Sequence, residues 1–320
     1  MSIKYIFIVL GEPYSVFSEI LGKYFSKTKT LKKKIVVFGD ISLFNKQLIR
    51  LNYKINFNEI KNLSDAKISM VNIMNIKFYQ KDIFSKISSK SNKYIENSFS
   101  KFFELTEFNK KNYVLINGPI SKKTFLKKKH LGITEYLMNK SRSKDVVMLI
   151  YNKKLSVSPI TTHLPIKYVA KQITKEKIVK NVLKINNFFK HTLKKKAKFA
   201  VLGLNPHCET VDSYSEEEKI INPAIKILKK KNILLEGPFS ADTFFLKKNI
   251  EKFNIVIGMY HDQVLIPIKT LFNFNAINIT LGLPFLRISP DHGPNNSMLG
   301  KNISDSKSFF YAMKFINQLK

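Results

Sequence analysis

The stretch Asn254-Ile255-Val256-Ile257-Gly258-Met259-Tyr260-His261-Asp262-Gln263-Val264-Leu265-Ile266-Pro267-Ile268-Lys269 decides how the rest of the chain is read. It begins with a short apolar run rich in branched side chains, the pattern of a buried strand. The run passes without a spacer into Tyr260, His261, Asp262 and Gln263, which can donate, accept or coordinate. Lys269 follows eight residues after His261. A plain surface loop would favour Gly, Asn, Ser and Lys. In open α/β sheets ligands gather at the carboxyl ends of strands, so a polar cluster directly after an apolar run is where a site is sought.

The same alternation extends along the chain. Strands are expected over 4–10, 34–38, 113–117, 146–151, 156–160, 199–204, 254–259 and 276–281. Helical patterns lie over 15–26, 90–108, 174–194, 216–231 and 305–319; in the last, Phe309, Phe310, Met313, Phe315 and Ile316 fall roughly on one face. Strands alternating with helices predict an α/β protein with a largely parallel sheet. Eight or more strands in 320 residues suit two lobes. Neither repeats nor a long low-complexity linker interrupts the pattern.

Composition limits the function classes. With 320 residues and 44% hydrophobic content the chain can bury a real core. Cys208 is its one cysteine, so no internal disulfide forms, which fits a reducing compartment and a cytoplasmic location. The apolar run Tyr5 to Leu10 is too short for a signal segment and meets Gly11-Glu12-Pro13 at once; it reads as a first strand. No apolar stretch approaches the roughly 18 residues of a membrane span. The net charge is +32, yet 52 of the 55 basic residues are Lys and only Arg50, Arg142 and Arg287 are Arg. Base readout and bidentate phosphate clamps favour Arg. The Lys triplets 32–34, 127–129, 194–196 and 229–231 flank apolar runs, as solvated helix ends and turns do. A lysine-rich surface is expected, not a dedicated nucleic-acid face.

Three more clusters sit where strands end: Thr161-Thr162-His163-Leu164-Pro165, Gly203-Leu204-Asn205-Pro206-His207, and Asn278 to Arg287. Three of the six histidines, His163, His207 and His261, thus end strands. Converging, they could hold a divalent metal with open positions; singly, each could be a hydrogen-bonded structural residue. Asp242 stands in a loop entering a helix, either as an active-site acid or as a first-turn residue behind an N-capping Ser240. Asp262 could orient an imidazole or satisfy backbone amides. Arg287, the only Arg in the last 170 residues, is either an anion fork or one end of a salt bridge. A Gly-x-Gly-x-x-Gly fingerprint, a P-loop and a Gly-x-Ser-x-Gly elbow are all absent. Cys208 reads as a partly buried, inert thiol.

The motifs Asn-Gly-Pro-Ile-Ser-Lys (117–122), Gly-Ile-Thr-Glu-Tyr-Leu (132–137), Thr-His-Leu-Pro (162–165), Gly-Leu-Asn-Pro-His (203–207), Gly-Pro-Phe-Ser-Ala-Asp-Thr (237–243), Tyr-His-Asp-Gln (260–263), Asn-Ile-Thr-Leu-Gly-Leu-Pro-Phe-Leu-Arg (278–287) and Asp-His-Gly (291–293), in that order, resemble the 4-hydroxythreonine-4-phosphate dehydrogenase family of pyridoxal phosphate biosynthesis. The resemblance spans nearly the whole chain. It implies a two-lobed α/β/α fold like that of isocitrate and isopropylmalate dehydrogenases, with the active site in the interlobe cleft. One lobe would be 1–125 plus 285–320 and bind cofactor; the other, 126–284, would hold the metal and the dimer interface. A homodimer would complete a composite site. By motif, His163, His207 and His261 take metal-ligand positions, for Zn, Mg or Co. Thr134, Lys269, Asn278 and Arg287 take substrate positions, and Lys269 and Asp242 catalytic ones. His292 and Gly293 take the cofactor loop. The implied chemistry is NAD- or NADP-dependent oxidation of 4-phosphooxy-L-threonine at C3, followed by decarboxylation to 3-amino-2-oxopropyl phosphate.

This sequence departs from the family pattern at residues 12–18, at 208–212, at 294–298, and at Ile133, where the family usually has a substrate-contacting His. An alternative within the resemblance is a paralogue acting on threonate or erythronate phosphate. An alternative from another class is a basic nucleic-acid-binding protein without catalysis.

Overall fold

The computed structural model describes residues 3–80, 82–106, 112–126, 132–210, 214–273, 275–290 and 293–319. Along the chain run β1 (Tyr5–Val9), α1 (Phe17–Lys27), β2 (Lys34–Gly39), α2 (Ile41–Arg50), β3 (Phe57–Glu59), β4 (Val71–Asn75), α3 (Asn92–Thr106), β5 (Tyr113–Asn117) and α4 (Ile133–Lys140). Then come β6 (Val147–Tyr151), β7 (Ser156–Thr161), α5 (Val169–Gln172), α6 (Lys175–Asn187), β8 (Phe199–Leu202), α7 (Asn222–Lys230), β9 (Leu235–Phe239), α8 (Ala241–Phe244) and α9 (Lys247–Ile250). The chain closes with β10 (Ile255–Tyr260), α10 (His261–Phe272), β11 (Ile277–Leu281), β12 (Leu286–Ser289) and α11 (Lys307–Gln318). The protein is α/β, with strands and helices alternating as the sequence predicts.

The chain divides into two compact units, Met1–Lys144 with Leu283–Lys320, and Asp145–Gly282. The sequence reading set the divisions near residues 125 and 284. Residues 126–144 go with the first unit because Tyr136 of α4 packs on Phe99 of α3 (ring centres 5.4 Å apart) and on Phe125 (5.3 Å).

In the first unit the strand order is β3-β4-β2-β1-β5-β12, every pair parallel. Phe7 of β1 meets Phe102 of α3 and Phe38 of β2. α1 lies against α11 through Phe17, Tyr24 and Phe309. α2 is started by Asp40, whose carboxylate accepts from the Leu43 amide at 2.7 Å.

In the second unit the order is β11-β6-β7-β10-β8-β9. β6 is antiparallel to both β11 and β7; the remaining pairs are parallel. α10 seals one core through Val264, Leu265 and Ile268 against Leu155, Val157, Ala200 and Val256. The cluster after β10 is therefore no loop: His261 is the first residue of α10, and Tyr260 is its cap. Pro267 sits within this helix and removes one backbone donor there.

Candidate active site

Three strand ends in the second unit present the imidazoles. His163 lies two residues beyond β7, His207 five beyond β8, and His261 directly beyond β10. The rings of His163 and His261 meet, with centres 5.6 Å apart and planes at 41°. Asp262 Oδ1 stands 2.6 Å from His261 Nδ1. With Nδ1 engaged, Nε2 is the nitrogen that a ligand would use. Two imidazoles sharing one tetrahedral ion place their ring centres about 5 Å apart, so this pair fits a divalent ion. His207 is held elsewhere, beside Asp242. Among the described residues no three His, Cys, Asp or Glu side chains form a metal-holding group. One chain thus brings two of the three expected imidazoles together and keeps the third apart.

The loop carrying His207 is unusually constrained. His207 (φ 56°) and Cys208 (φ 62°) are both left-handed, a conformation that costs a non-glycine residue about 1–2 kcal/mol. Glu217, 2% exposed, holds the loop in place. Its Oε1 accepts from the amides of Leu204 (2.7 Å) and Asn205 (2.9 Å), and its Oε2 from Asn205 Nδ2 (2.9 Å) and Ser215 Oγ (3.2 Å). Burial alone would push the Glu217 carboxyl up; the Asn205 and Leu204 bonds outweigh it and hold the carboxyl below its usual range. Gly203 lets the loop pack closely, because a Cβ on it would stand 2.7 Å from Cys208 Sγ and force that side chain to shift. The Cys208 thiol is pushed up by burial and by the Glu217 charge, so it stays protonated and inert, as the sequence suggests.

Asp242 falls in the first turn of α8, and Ser240 does not cap that helix with its side chain. Instead Ser240 Oγ donates to Asp242 Oδ1 at 2.6 Å, and the Thr243 amide donates at 2.8 Å. These bonds, the first above all, with the nearby His207, hold the Asp242 carboxyl below its usual range. Lys269 is exposed on α10, about 12 Å along the axis from His261. Asn278 lies on β11, and its Oδ1 is buried without a hydrogen-bond partner among the described residues.

The first unit holds a different set. Arg287 on β12 is 2% exposed. Its Nε donates to Asn117 Oδ1 at the end of β5 (2.8 Å), and its Nη1 to Thr134 Oγ1 at the start of α4 (3.0 Å). Burial pulls its pKa down to about 10, partly countered by Glu135, so it stays charged at neutral pH. A cavity of ≈ 400 Å³ opens beside this group, lined by Asn117, Ser121, Lys122, Ile133, Ser289 and Gly293 among others. His292 lies outside the described residues. Asn117 and Glu217 are organising residues that the sequence does not mark: Asn117 acts through Arg287, far away in the chain, and Glu217 through residues 204 and 205, across a turn of a dozen positions that has no periodic pattern.

Polar side chains set at the carboxyl ends of parallel strands, in two α/β units, are the design of a small-molecule enzyme of the open-sheet class. Residues 31–316 match the profile of the pyridoxal phosphate biosynthetic protein PdxA. The chain belongs to the PdxA family. A 4-hydroxythreonine-4-phosphate dehydrogenase from Sulfurihydrogenibium sp. (strain YO3AOP1) is 39% identical over 98% of this chain and 97% of its own. One from Aquifex aeolicus is 32% identical over 99% and 98%. A solved Salmonella typhimurium structure, provisionally named as the same dehydrogenase, superposes with a TM-score of 0.86 at 25% identity, covering 99% of both chains. Isocitrate dehydrogenase from Methylococcus capsulatus shares the fold, with a TM-score of 0.52 at 7% identity over 98% of this chain and 85% of that one. A relative from Oceanobacillus iheyensis, provisionally named as a D-threonate 4-phosphate dehydrogenase, is 29% identical over 96% of this chain and 95% of its own.

Proposed function

We propose that the chain oxidises 4-phosphooxy-L-threonine at C3 with NAD or NADP and releases carbon dioxide, giving 3-amino-2-oxopropyl phosphate. The observation that carries this is the near-full-length match to relatives named for that reaction. The chain acts as an oxidoreductase on a CH–OH group. A divalent ion (Zn, Mg or Co) held by His163 and His261 would acidify the substrate hydroxyl and stabilise the enolate left by decarboxylation. His207, in its constrained loop, is the third ligand in this reading, and its separation from the other two in one chain is why a homodimer is proposed to complete the set. Asp262 fixes the His261 tautomer. Asp242, ionised and exposed, and Lys269 are the groups for moving protons, directly or through water. Asn278, with its unpartnered buried oxygen, and Thr134, whose hydroxyl accepts from Arg287 and keeps its own proton to donate, are substrate contacts. The cofactor is assigned to the first unit, where Gly293 lines the cavity with Asn117. A cytoplasmic location accords with the single cysteine; no helix among the described residues is long and apolar enough to cross a membrane.

A second reading, oxidation of threonate phosphate, is favoured by Ile133, which lines the cavity with a hydrocarbon that neither donates nor accepts. The test is reduction of NAD and NADP on both phosphorylated acids, with and without a chelator. Turnover of 4-phosphooxy-L-threonine that stops with chelator supports the proposal. Turnover of threonate phosphate alone replaces it with the second reading.

A further inference from the structure

The segments bearing the three imidazoles are tied to the backbone of a single residue, Met259. Met259, next to last in β10, is fully buried. Its carbonyl accepts from Thr161 Oγ1 at 2.8 Å, two residues before His163. Its amide donates to Gln263 Oε1 at 2.6 Å, two residues after His261. Gln263 Nε2 in turn donates to the Gly203 carbonyl at 2.8 Å, four residues before His207.

The reason lies in the strand register. β8 and β10 pair through Phe199↔Ile255, Ala200↔Val256 and Val201↔Ile257, and there the ladder stops. Continued, it would set Gly203 opposite Met259. The Gln263 amide is inserted between those two residues and satisfies one backbone group of each. It acts as a spacer where the strands splay, and buried backbone groups demand such a partner. α10 can bend back this closely only because residue 258 is Gly: a Cβ there would stand 3.0 Å from Gln263 Oε1 and 2.4 Å from Val264. Thr161 is 1% and Gln263 8% exposed, whereas His163 and His207 are exposed. Imidazoles must sit within roughly 0.2 Å of their ligating geometry. Exposed rings can achieve this only through the buried segments that carry them.

We propose that Thr161 and Gln263, joined through the backbone of Met259, are positioning residues that set the register of the segments carrying His163, His207 and His261 for a divalent ion. This rests on reading the imidazoles as ion ligands. The probe is cobalt(II) chloride, titrated into the full chain and followed by visible absorption and calorimetry, with a thermal melt of each variant. Thr161→Val keeps the volume and loses the hydroxyl; Thr161→Ser keeps the hydroxyl and loses a buried methyl. Thr161→Val and Gln263→Met are expected to weaken cobalt binding about 10–100-fold, while Thr161→Ser binds nearly as well as wild type despite a lower Tm. Equal loss in the Ser and Val variants, or affinity that simply follows Tm, makes the role structural and overturns the proposal. Cobalt binding by Thr161→Val at the wild-type level overturns it too, with the metal reading intact. A folded wild type that binds no cobalt, or binds it no better than His163→Ala, removes the metal reading itself and the proposal with it.

Discussion

Arg287 is the residue to whose surroundings the structure adds most. Its rarity in a lysine-rich chain suggests a fork for an anion, and a fork it is, but two of its donors hold Asn117 and Thr134 inside the first unit. Lysine carries the charge but cannot reach two acceptors in one plane. Arg287→Lys is therefore expected to cost stability as well as activity, about 1–3 kcal/mol for a buried acceptor left unpaired. A thermal melt alongside kcat/KM checks this; an unchanged Tm with lost activity would return Arg287 to direct substrate binding. Ile133, on the same cavity, raises the opposite question. A polar substrate group facing it without a partner loses about 1–3 kcal/mol, so Ile133→His should raise kcat/KM on 4-phosphooxy-L-threonine by about one order of magnitude or more. High wild-type activity on threonate phosphate, destroyed by that change, would identify the other substrate.

At the scale of elements, what was legible in the sequence was what depends on near neighbours. β1, β2, β5 and β10 are built on contiguous apolar runs rich in branched side chains, and each lies within about a residue of its expected place. β3, β4, β9 and β12 escaped: β3 has three residues, β4 is interrupted by Asn72 and Asn75, β9 contains Pro238, and β12 buries an arginine. α10 escaped because Pro267 argues against a helix and its first turn reads as a ligand cluster. The strand-end histidines were visible, and so was the Asp262 contact. The separation of His207 from the other two was not, because it depends on how Glu217 gathers residues 204 and 205 across a dozen positions. That gathering carries a pH signature. The Glu217 carboxyl is held below its ordinary value, so its contribution is fully present above the unfolded value of about 4.3 and is lost as pH falls through the lower folded value. Glu217→Gln puts an amide donor among amide donors. It should destabilise the protein by about 1–3 kcal/mol at pH 7, and the gap from wild type should close as the pH is lowered through the acid range. Urea titrations at several pH values measure it; a gap independent of pH would assign the loss to packing alone.

The whole molecule is governed by its charge. Basic residues outnumber acidic ones, 55 to 23, leaving +32. Several of the ion pairs join exposed side chains, such as Lys180–Asp145 and Lys307–Asp305 at 3.6 Å, and exposed pairs contribute little. The dominant long-range term is self-repulsion among lysines, which opposes the compact state. Salt screens it: the Debye length falls from about 30 Å at 0.01 M to about 8 Å at 0.15 M. Tm should therefore rise as sodium chloride is added over this range, the reverse of a protein held together by ion pairs. The same field attracts polyanions without selecting among them. Duplex DNA should bind weakly at low salt and independently of sequence, and binding should vanish by about 0.2 M because each phosphate contact releases a counterion. A phosphorylated substrate gains from the same field in its rate of encounter, so kcat/KM should fall with salt while kcat holds. A Tm that falls with salt would show that the ion pairs outweigh the repulsion. Tight duplex binding that persists at 0.2 M would revive the nucleic-acid reading that the scarcity of arginine argues against.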